Sequence, residues 1–549
     1  MNRSNVMLTG SHHCCRPHAL LVGAVLLSAS LGASAATLPT LPKIFDAAYA
    51  APTGHTISVN AGGDLQAALN QAQPGDTIVL QAGAHFTGPY TLPNKSGSSW
   101  IYVQSSNYTK LPTPGTRARP FDAANMPVLI APASGSAIVT ENGSHHFRFV
   151  GVEFKTAPNV YTTNVVQLGN DDKSSATLSH HITFDRCYFY ADTSVGARRG
   201  LLGNAAYLAV VDSYFDNFRE HGADSQAIAV YNTSGPIKVI NNFLSAAGEN
   251  LLFGGADSAD PMLIPSDIEI RRNYFFKPLS WMESMWVVKN LLEFKSARRV
   301  LVSGNTLENI WSAGQSGFAL LVTPRNQDGG APWSVTEDIT LTDNRLVNVG
   351  SGLNILGADN LHPSKQTARV LIKNNVISAT GLHGAHGWAL MLLEGPVDVT
   401  VDHNTVFAST AFMEAENAAG DPMTYRFTFT NNIVVSPSGL IGSGTSTARD
   451  TLNTYFSNWT LTKNAVTSGP ASAFPAGNYF PASEADIHFS NSAAGDYSLA
   501  ASSPYRGVGT DGRDLGADMT LVPGTAGNVA GSPAPAATVP EAPKALQVH

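Results

Sequence analysis

Residues 290–311 read NLLEFKSARRVLVSGNTLENIW and set a carboxylate and an amine two apart, Glu293 and Lys295, ahead of a basic pair, Arg298 and Arg299. Successive residues of a strand face opposite ways. If Leu292 and Phe294 face a core, Glu293 and Lys295 point outward together. Such a pair can move a proton. The amine accepts one only in its free form, which burial or nearby positive charge favours (Arg298, Arg299 or a metal ion) and which a lone carboxylate opposes. A second chemistry would use two carboxyl groups, one as acid and one as base or nucleophile, and needs two of Glu249, Asp257, Glu283, Glu293 and Asp328 to converge.

Other polar residues read more simply. Asp257 and Asp260 edge a loop, where most carboxylates are solvated. His383 and His386, in GLHGAHGW, read as a glycine-rich turn, and the pairs in HHFRF and HHITFDR as strand-edge histidines.

The elements that must position these groups follow from a repeat. The segments IKVINNFL, IEIRRNYF, VLVSGNTL, ITLTDNRL, VLIKNNVI, VTVDHNTV and FTFTNNIV share alternating apolar residues with Asn242, Asn273, Asn305, Asn344, Asn375, Asn404 and Asn432 at the sixth position. Successive asparagines lie 31, 32, 39, 31, 29 and 28 residues apart. ITFDRCYF and LAVVDSYF fit the same frame with Cys187 and Ser213, which reads both as small buried corner residues. A period of this size signals a solenoid, each unit burying its apolar face against the next. Period-two alternation and glycine-rich corners make the units short strands. An asparagine at an inward corner can bond its equivalent one coil above and below, satisfying polar groups that the bend strands.

The opening GGDLQAALNQAQPGDTIVLQAGAH reads as a short amphipathic helix and a first strand, so the helix would plug the end of the stack. This opening and the closing segment DYSLAASSPYRGVGTDGRDLGAD resemble those of secreted right-handed parallel β-helix proteins of the pectate-lyase type. The expected fold is therefore all-β, a single right-handed parallel β-helix with an N-terminal capping helix. Its expected division is a secretory signal at 1–35, a leader at 36–55, the β-helix at 56–520 and a Pro/Ala-rich tail at 521–549.

Composition bounds the partners. Of 549 residues 43% are hydrophobic and 13% charged, which describes a folded chain of low charge. Arg3 and Arg16 ahead of ALLVGAVLLSASLG, with a small-residue site at ASA, read as a signal for export, so the chain is expected to be secreted or periplasmic. The apolar run is too short for a membrane span. Without those arginines 31 basic residues face 41 acidic ones, a net charge of −10, and no basic stripe argues for nucleic acid. Cys187 is left without a partner, and the chain is expected as a monomer.

Connectors between strands vary in one place. ADSADPMLIPSD and RNQDGGAPWSVTED are long, whereas EFKS passes almost directly into VLVSGN. A short corner between long loops would make a cleft with Lys295 on its floor. Trp281, Trp286, Trp311 and Trp333 gather nearby, and exposed indoles stack on sugar rings.

The run LLEFKSARRVLVSGNTLEN resembles the matching coil of β-helix polysaccharide lyases of the alginate lyase and chondroitinase B type. That resemblance implies β-elimination of a uronic-acid polysaccharide. It makes Lys295 the general base and Glu293 a Ca2+ ligand. Glu249, at the cleft edge, is a second candidate ligand, and Arg298 and Arg299 are candidates for catalysis and substrate binding. The family's next coil carries an Arg-His pair where this chain has FALLVTPRNQ. Arg325 is the nearest candidate, displaced by a few positions. A glycoside hydrolase or a non-catalytic carbohydrate-binding β-helix is the alternative reading.

Overall fold

The computed structural model describes residues 36–524 except 134, 170, 171 and 419. The signal at 1–35 and the tail from 525 onward lie outside the described residues.

Each coil passes through three parallel sheets in turn, of 15, 13 and 12 strands. The path is the right-handed parallel β-helix expected. Leu65–Gln71 forms the capping helix, started by Asp64, whose side chain accepts from Ala67 N. Its Leu65, Ala68 and Leu69 are buried in the main core and plug the first coil. Inside the rod, like side chains stack coil on coil: the Phe154 and Phe189 ring centroids are 4.7 Å apart, and those of Phe189 and Phe215 4.1 Å. None of the described helices is long and apolar enough to cross a membrane.

The asparagine ladder forms at the bend between the 15- and 13-stranded sheets. Each Asn Nδ2 donates to Oδ1 of the next at 2.9–3.0 Å, and each Oδ1 accepts the preceding asparagine's N–H at 2.8–3.0 Å. The ladder runs beyond the seven residues expected, through Asn464 to Asn478. At the other end Ser213 and then Cys187 continue the column, Ser213 N donating to Asn242 Oδ1 and Cys187 N to Ser213 Oγ. Burial pushes the Cys187 thiol up to about 12, so it is an inert packing group. The residue before each rung is left-handed, for example Asn241 (φ 56), Asp343 (φ 61), Asn374 (φ 56) and Asn431 (φ 60). Asn and Asp adopt that conformation most readily after glycine, which turns the chain at small cost.

The leader packs on the outside. Thr37, Thr40 and Lys43 donate their backbone N–H groups to Asp398, Asp338 and Asp267 at 2.8, 2.9 and 2.9 Å. These aspartates stand two coils apart on the 15-stranded sheet, with Arg299 and Arg369 on the coils between. The sequence TLPTLPK explains the match. Three residues of extended, proline-rich chain advance about 9.3 Å, and two coils rise about 9.6 Å. Each Asp also takes an Arg from the next coil: Arg299 with Asp267, Arg369 with Asp338 and Arg426 with Asp398. Amide exchange should therefore be slow at Thr37, Thr40 and Lys43 and faster at Leu41. Equal rates at all four would mean that the leader does not lie in this register.

Candidate active site

On the 12-stranded sheet, strands Gln226–Val230, Glu249–Phe253, Leu292–Phe294 and Phe318–Val322 are successive neighbours. Leu251, Phe253, Leu292 and Phe294 belong to the core, and Phe253 stacks on Phe294 at 5.5 Å. That packing fixes the opposite face. Glu293 and Lys295 point out together, with Lys295 Nζ 3.8 Å from Glu293 Oε1. The carboxylate is nearly covered, at 2% exposure, and the lysine side chain keeps 14%.

Around this pair the outer face is polar. Arg199 Nε donates to Gln226 Oε1 at 2.9 Å, and Gln226 Nε2 to Glu249 Oε2 at 2.7 Å. Asn290 Nδ2 donates to Glu293 Oε2 at 2.9 Å and to Gln315 Oε1 at 2.7 Å. Lys289 Nζ bonds Asp224 Oδ2 at 2.6 Å. Two buried oxygens, Glu249 Oε1 and Asn290 Oδ1, find no hydrogen-bond partner. Burial, and then the negative charges of Glu293 and Asp224, push the Glu249 carboxyl up to about 7, with Lys295 partly opposing.

Behind Glu249 lies a buried cation. Lys277 Nζ donates to the carbonyls of Ala246, Ala247 and Gly248 at 2.6, 2.8 and 2.7 Å and to Asn250 Oδ1 at 2.9 Å. Burial draws Lys277 down from the usual lysine range, and the Glu249 charge works against it. Four oxygens around one nitrogen suit the ammonium form. Lys277 thus clamps the bend at 246–250 that presents Glu249.

Loops 254–265 and 323–335 flank the short corner after Lys295, and they meet above it. Asp257 Oδ2 accepts from Gly330 N at 2.8 Å, and Trp333 Nε1 donates to Ser258 Oγ at 3.0 Å. The close approach needs a residue without a side chain at Gly254 (φ +97), where a Cβ would lie 2.7 Å from Lys295 Cβ. On the opposite rim the 277–290 loop carries Trp286, stacked on His221 at 3.9 Å with Arg219 over its ring at 4.5 Å.

Several expected residues lie elsewhere or are otherwise engaged. Trp311 is wholly buried and offers no platform for a sugar, and Trp281 is 6% exposed. Trp286 and Trp333 are half-buried on opposite rims. Arg298 and Arg299 have turned the corner onto the 15-stranded sheet, where Arg298 bonds the Pro261 carbonyl and Arg299 holds Asp267. Arg325 follows Lys295 by one coil, its N–H bonding the Lys295 carbonyl at 2.8 Å. Its guanidinium turns away to Asp359 and Asn360. Of the carboxylates considered for an acid–base pair, only Glu249 and Glu293 share the face; Asp257 is tied to the facing loop by Asp328 N and Gly330 N, and Glu283 and Asp328 are exposed.

Arg199, Asp224, Gln226, Lys277, Lys289 and Asn290 were not legible. Asn290 sits on the coil next to Glu249, but the inserted 277–290 loop hides that register. A strand followed by a lone lysine at Lys277 was the one available signal.

The outward row holding Glu293 continues through Leu321, Asn354 and Met391 to Glu414. Burial, and then Glu416, push the Glu414 carboxyl up to about 7 from 4.5. A raised carboxyl stabilises the fold below its unfolded value and loses that contribution as pH rises through its folded value. The urea midpoint should fall between pH 5 and 8, and Glu414→Gln should flatten that fall by up to about 3 kcal/mol. An unchanged slope in the variant would remove Glu414 as a cause.

No protein-family model matches this sequence, and no curated protein matches it. Solved structures do. The alginate lyase AlyGC of polysaccharide lyase family 6 superposes with a TM-score of 0.52 at 12% identity, covering 86% of this chain and 58% of that one. A mannuronic acid specific family 6 polysaccharide lyase from human gut microbiota gives 0.46 at 11%, covering 77% and 89%. The catalytic unit of a GH87 α-1,3-glucanase from Streptomyces thermodiastaticus strain HF3-3 gives 0.45 at 14%, covering 78% and 72%. At these identities the likeness is one of fold, and the fold is the right-handed parallel β-helix.

Proposed function

We propose that this chain is an exported polysaccharide lyase that cleaves a uronic-acid glycan by β-elimination on the outer face of its 12-stranded sheet. One observation carries the reading: Lys295 and Glu293 meet on that face at 3.8 Å, between rims formed by loops 254–265, 277–290 and 323–335. The local sequence resemblance to alginate lyases points the same way.

The hydrogen next to a uronate carboxylate is very weakly acidic, so its removal needs a base and positive charge against the carboxylate. Lys295 takes the proton, and only as the free amine, a form that a cation held beside it would favour. Arg199 and Lys289 add positive charge along the same face. Glu249 and Glu293, with Asn290 Oδ1, would hold a calcium ion. The fit rests on the unpartnered Glu249 Oε1 and Asn290 Oδ1, since calcium takes six to eight oxygen ligands. When bound, the ion would stabilise charge developing on the substrate carboxylate.

A glycosidase is the second reading. Glu249, raised to about 7 beside Glu293, has the character of a general acid. Incubation with alginate, pectate, glycosaminoglycans and neutral glycans separates the two. Elimination produces absorbance at about 235 nm from unsaturated uronide ends. New reducing ends without that absorbance would establish hydrolysis, and neither product would leave binding alone.

A further inference from the structure

We propose that His145, His146 and His180, with His181 packed beside them, form a binding site for a divalent transition-metal ion of the zinc type, on the 15-stranded sheet and separate from the face described above. The four residues begin two neighbouring strands, His145–Val150 and His180–Asp185, with His145 and His180 in register. His146 (φ 59) and His181 (φ 54) are left-handed, which swings each second ring back beside the first.

The result is a square of imidazoles. His145 stacks on His180 at 4.7 Å and 6°, and His146 on His181 at 4.5 Å and 7°. Within each strand the rings meet edge-on, with Nδ1 atoms 2.7 Å apart for His145 and His146 and 2.8 Å for His180 and His181. Ligand nitrogens of His145, His146 and His180 all lie within 4.8 Å of one another. Trp100 stands against His146 and Tyr207 stacks on His181 at 4.2 Å, so the rings are held in place while remaining half-buried.

Each Nδ1–Nδ1 contact is short enough for a hydrogen bond. Two neutral imidazoles can share that contact only if one nitrogen carries a proton and the other a lone pair. A metal ion replaces the proton and uses both lone pairs. At a Zn–N length of about 2.05 Å, tetrahedral ligands are about 3.3 Å apart, so each in-strand pair must open by about half an ångström, and the parallel stacked rings must turn their nitrogens toward the ion. Imidazole clusters favour zinc and copper over calcium or magnesium.

The test titrates chelator-treated full chain with Zn2+ by calorimetry and compares it with His146→Asn/His181→Asn, since asparagine keeps the left-handed backbone. His12, His13, Cys14, Cys15 and His18 could bind zinc themselves. The readout is therefore the difference between the two proteins. We expect the variant to lose one site, or to bind at least about 100-fold more weakly, with unchanged circular dichroism. Zinc should raise Tm in the wild type more than in the variant. Glu249→Gln/Glu293→Gln should keep the site, which separates this result from the fate of the lyase reading. Identical isotherms for wild type and the histidine variant, or loss of the site in the glutamate variant, would overturn the proposal. His145→Gln/His180→Gln gives the same test should the first variant misfold.

Discussion

Lys295→Ala is expected to lower turnover on the uronate polymer by about 10³-fold with little change in KM, because it removes the proton acceptor and leaves the rims of the face intact. General bases contribute about 10²–10⁴-fold. Stability should fall by about 1–3 kcal/mol. The carboxylate of Glu293 is nearly covered and loses the amine at 3.8 Å, but keeps its hydrogen bond from Asn290. Initial rates from absorbance at about 235 nm, taken with a melting curve, measure both quantities. Full activity in the variant would remove Lys295 from the chemistry. If the enzyme instead released reducing ends without that absorbance and Glu249→Gln abolished the release, the acid of a glycosidase would be the better description.

The largest stability effect is expected in the ladder. Asn305 is fully buried, and its Oδ1 accepts from Asn273 N at 2.8 Å and Asn273 Nδ2 at 3.0 Å. Its Nδ2 donates to Ile270 O at 3.0 Å and to Asn344 Oδ1 at 2.9 Å. Alanine orphans Asn273 N and takes one bond each from Asn273 Nδ2, Ile270 O and Asn344 Oδ1, where protein leaves little room for water. The orphaned N–H costs about 1–3 kcal/mol and each lost bond about 0.5–1.5 kcal/mol, so about 5 kcal/mol in all is expected for Asn305→Ala. The urea midpoint reports it. A loss below about 1 kcal/mol would mean that the stacked backbone alone holds the corner.

The rod was legible because its cause repeats. One asparagine per coil, in an apolar frame that alternates, recurs often enough to reveal both period and corner, and the structure extends the same column to Asn464 and Asn478. The outward turn of Glu293 and Lys295 was also readable, since Leu292 and Phe294 could only face the core. What sequence could not supply was the neighbour across coils. Arg298 and Arg299 stand three and four residues from Lys295, yet the corner carries them onto another sheet. Arg325 arrives beside Lys295 by backbone pairing, but Asp359, a further 34 residues on, takes its side chain. Gln226 and Asn290 border Glu249 from coils whose loops differ in length, so no fixed spacing marks them. The leader was read only as a segment ahead of the rod. Its three-residue proline step acquires meaning when set against the two-coil spacing of Asp267, Asp338 and Asp398.

The most direct test is a crystal structure of Lys295→Ala grown with an oligouronide. The sugar should lie along the 12-stranded sheet over Glu249, Glu293 and Asn290, with a uronate carboxylate facing Arg199 or a cation held by the two glutamates. A sugar seated on either of the other two sheets, with this face bare, would contradict the account.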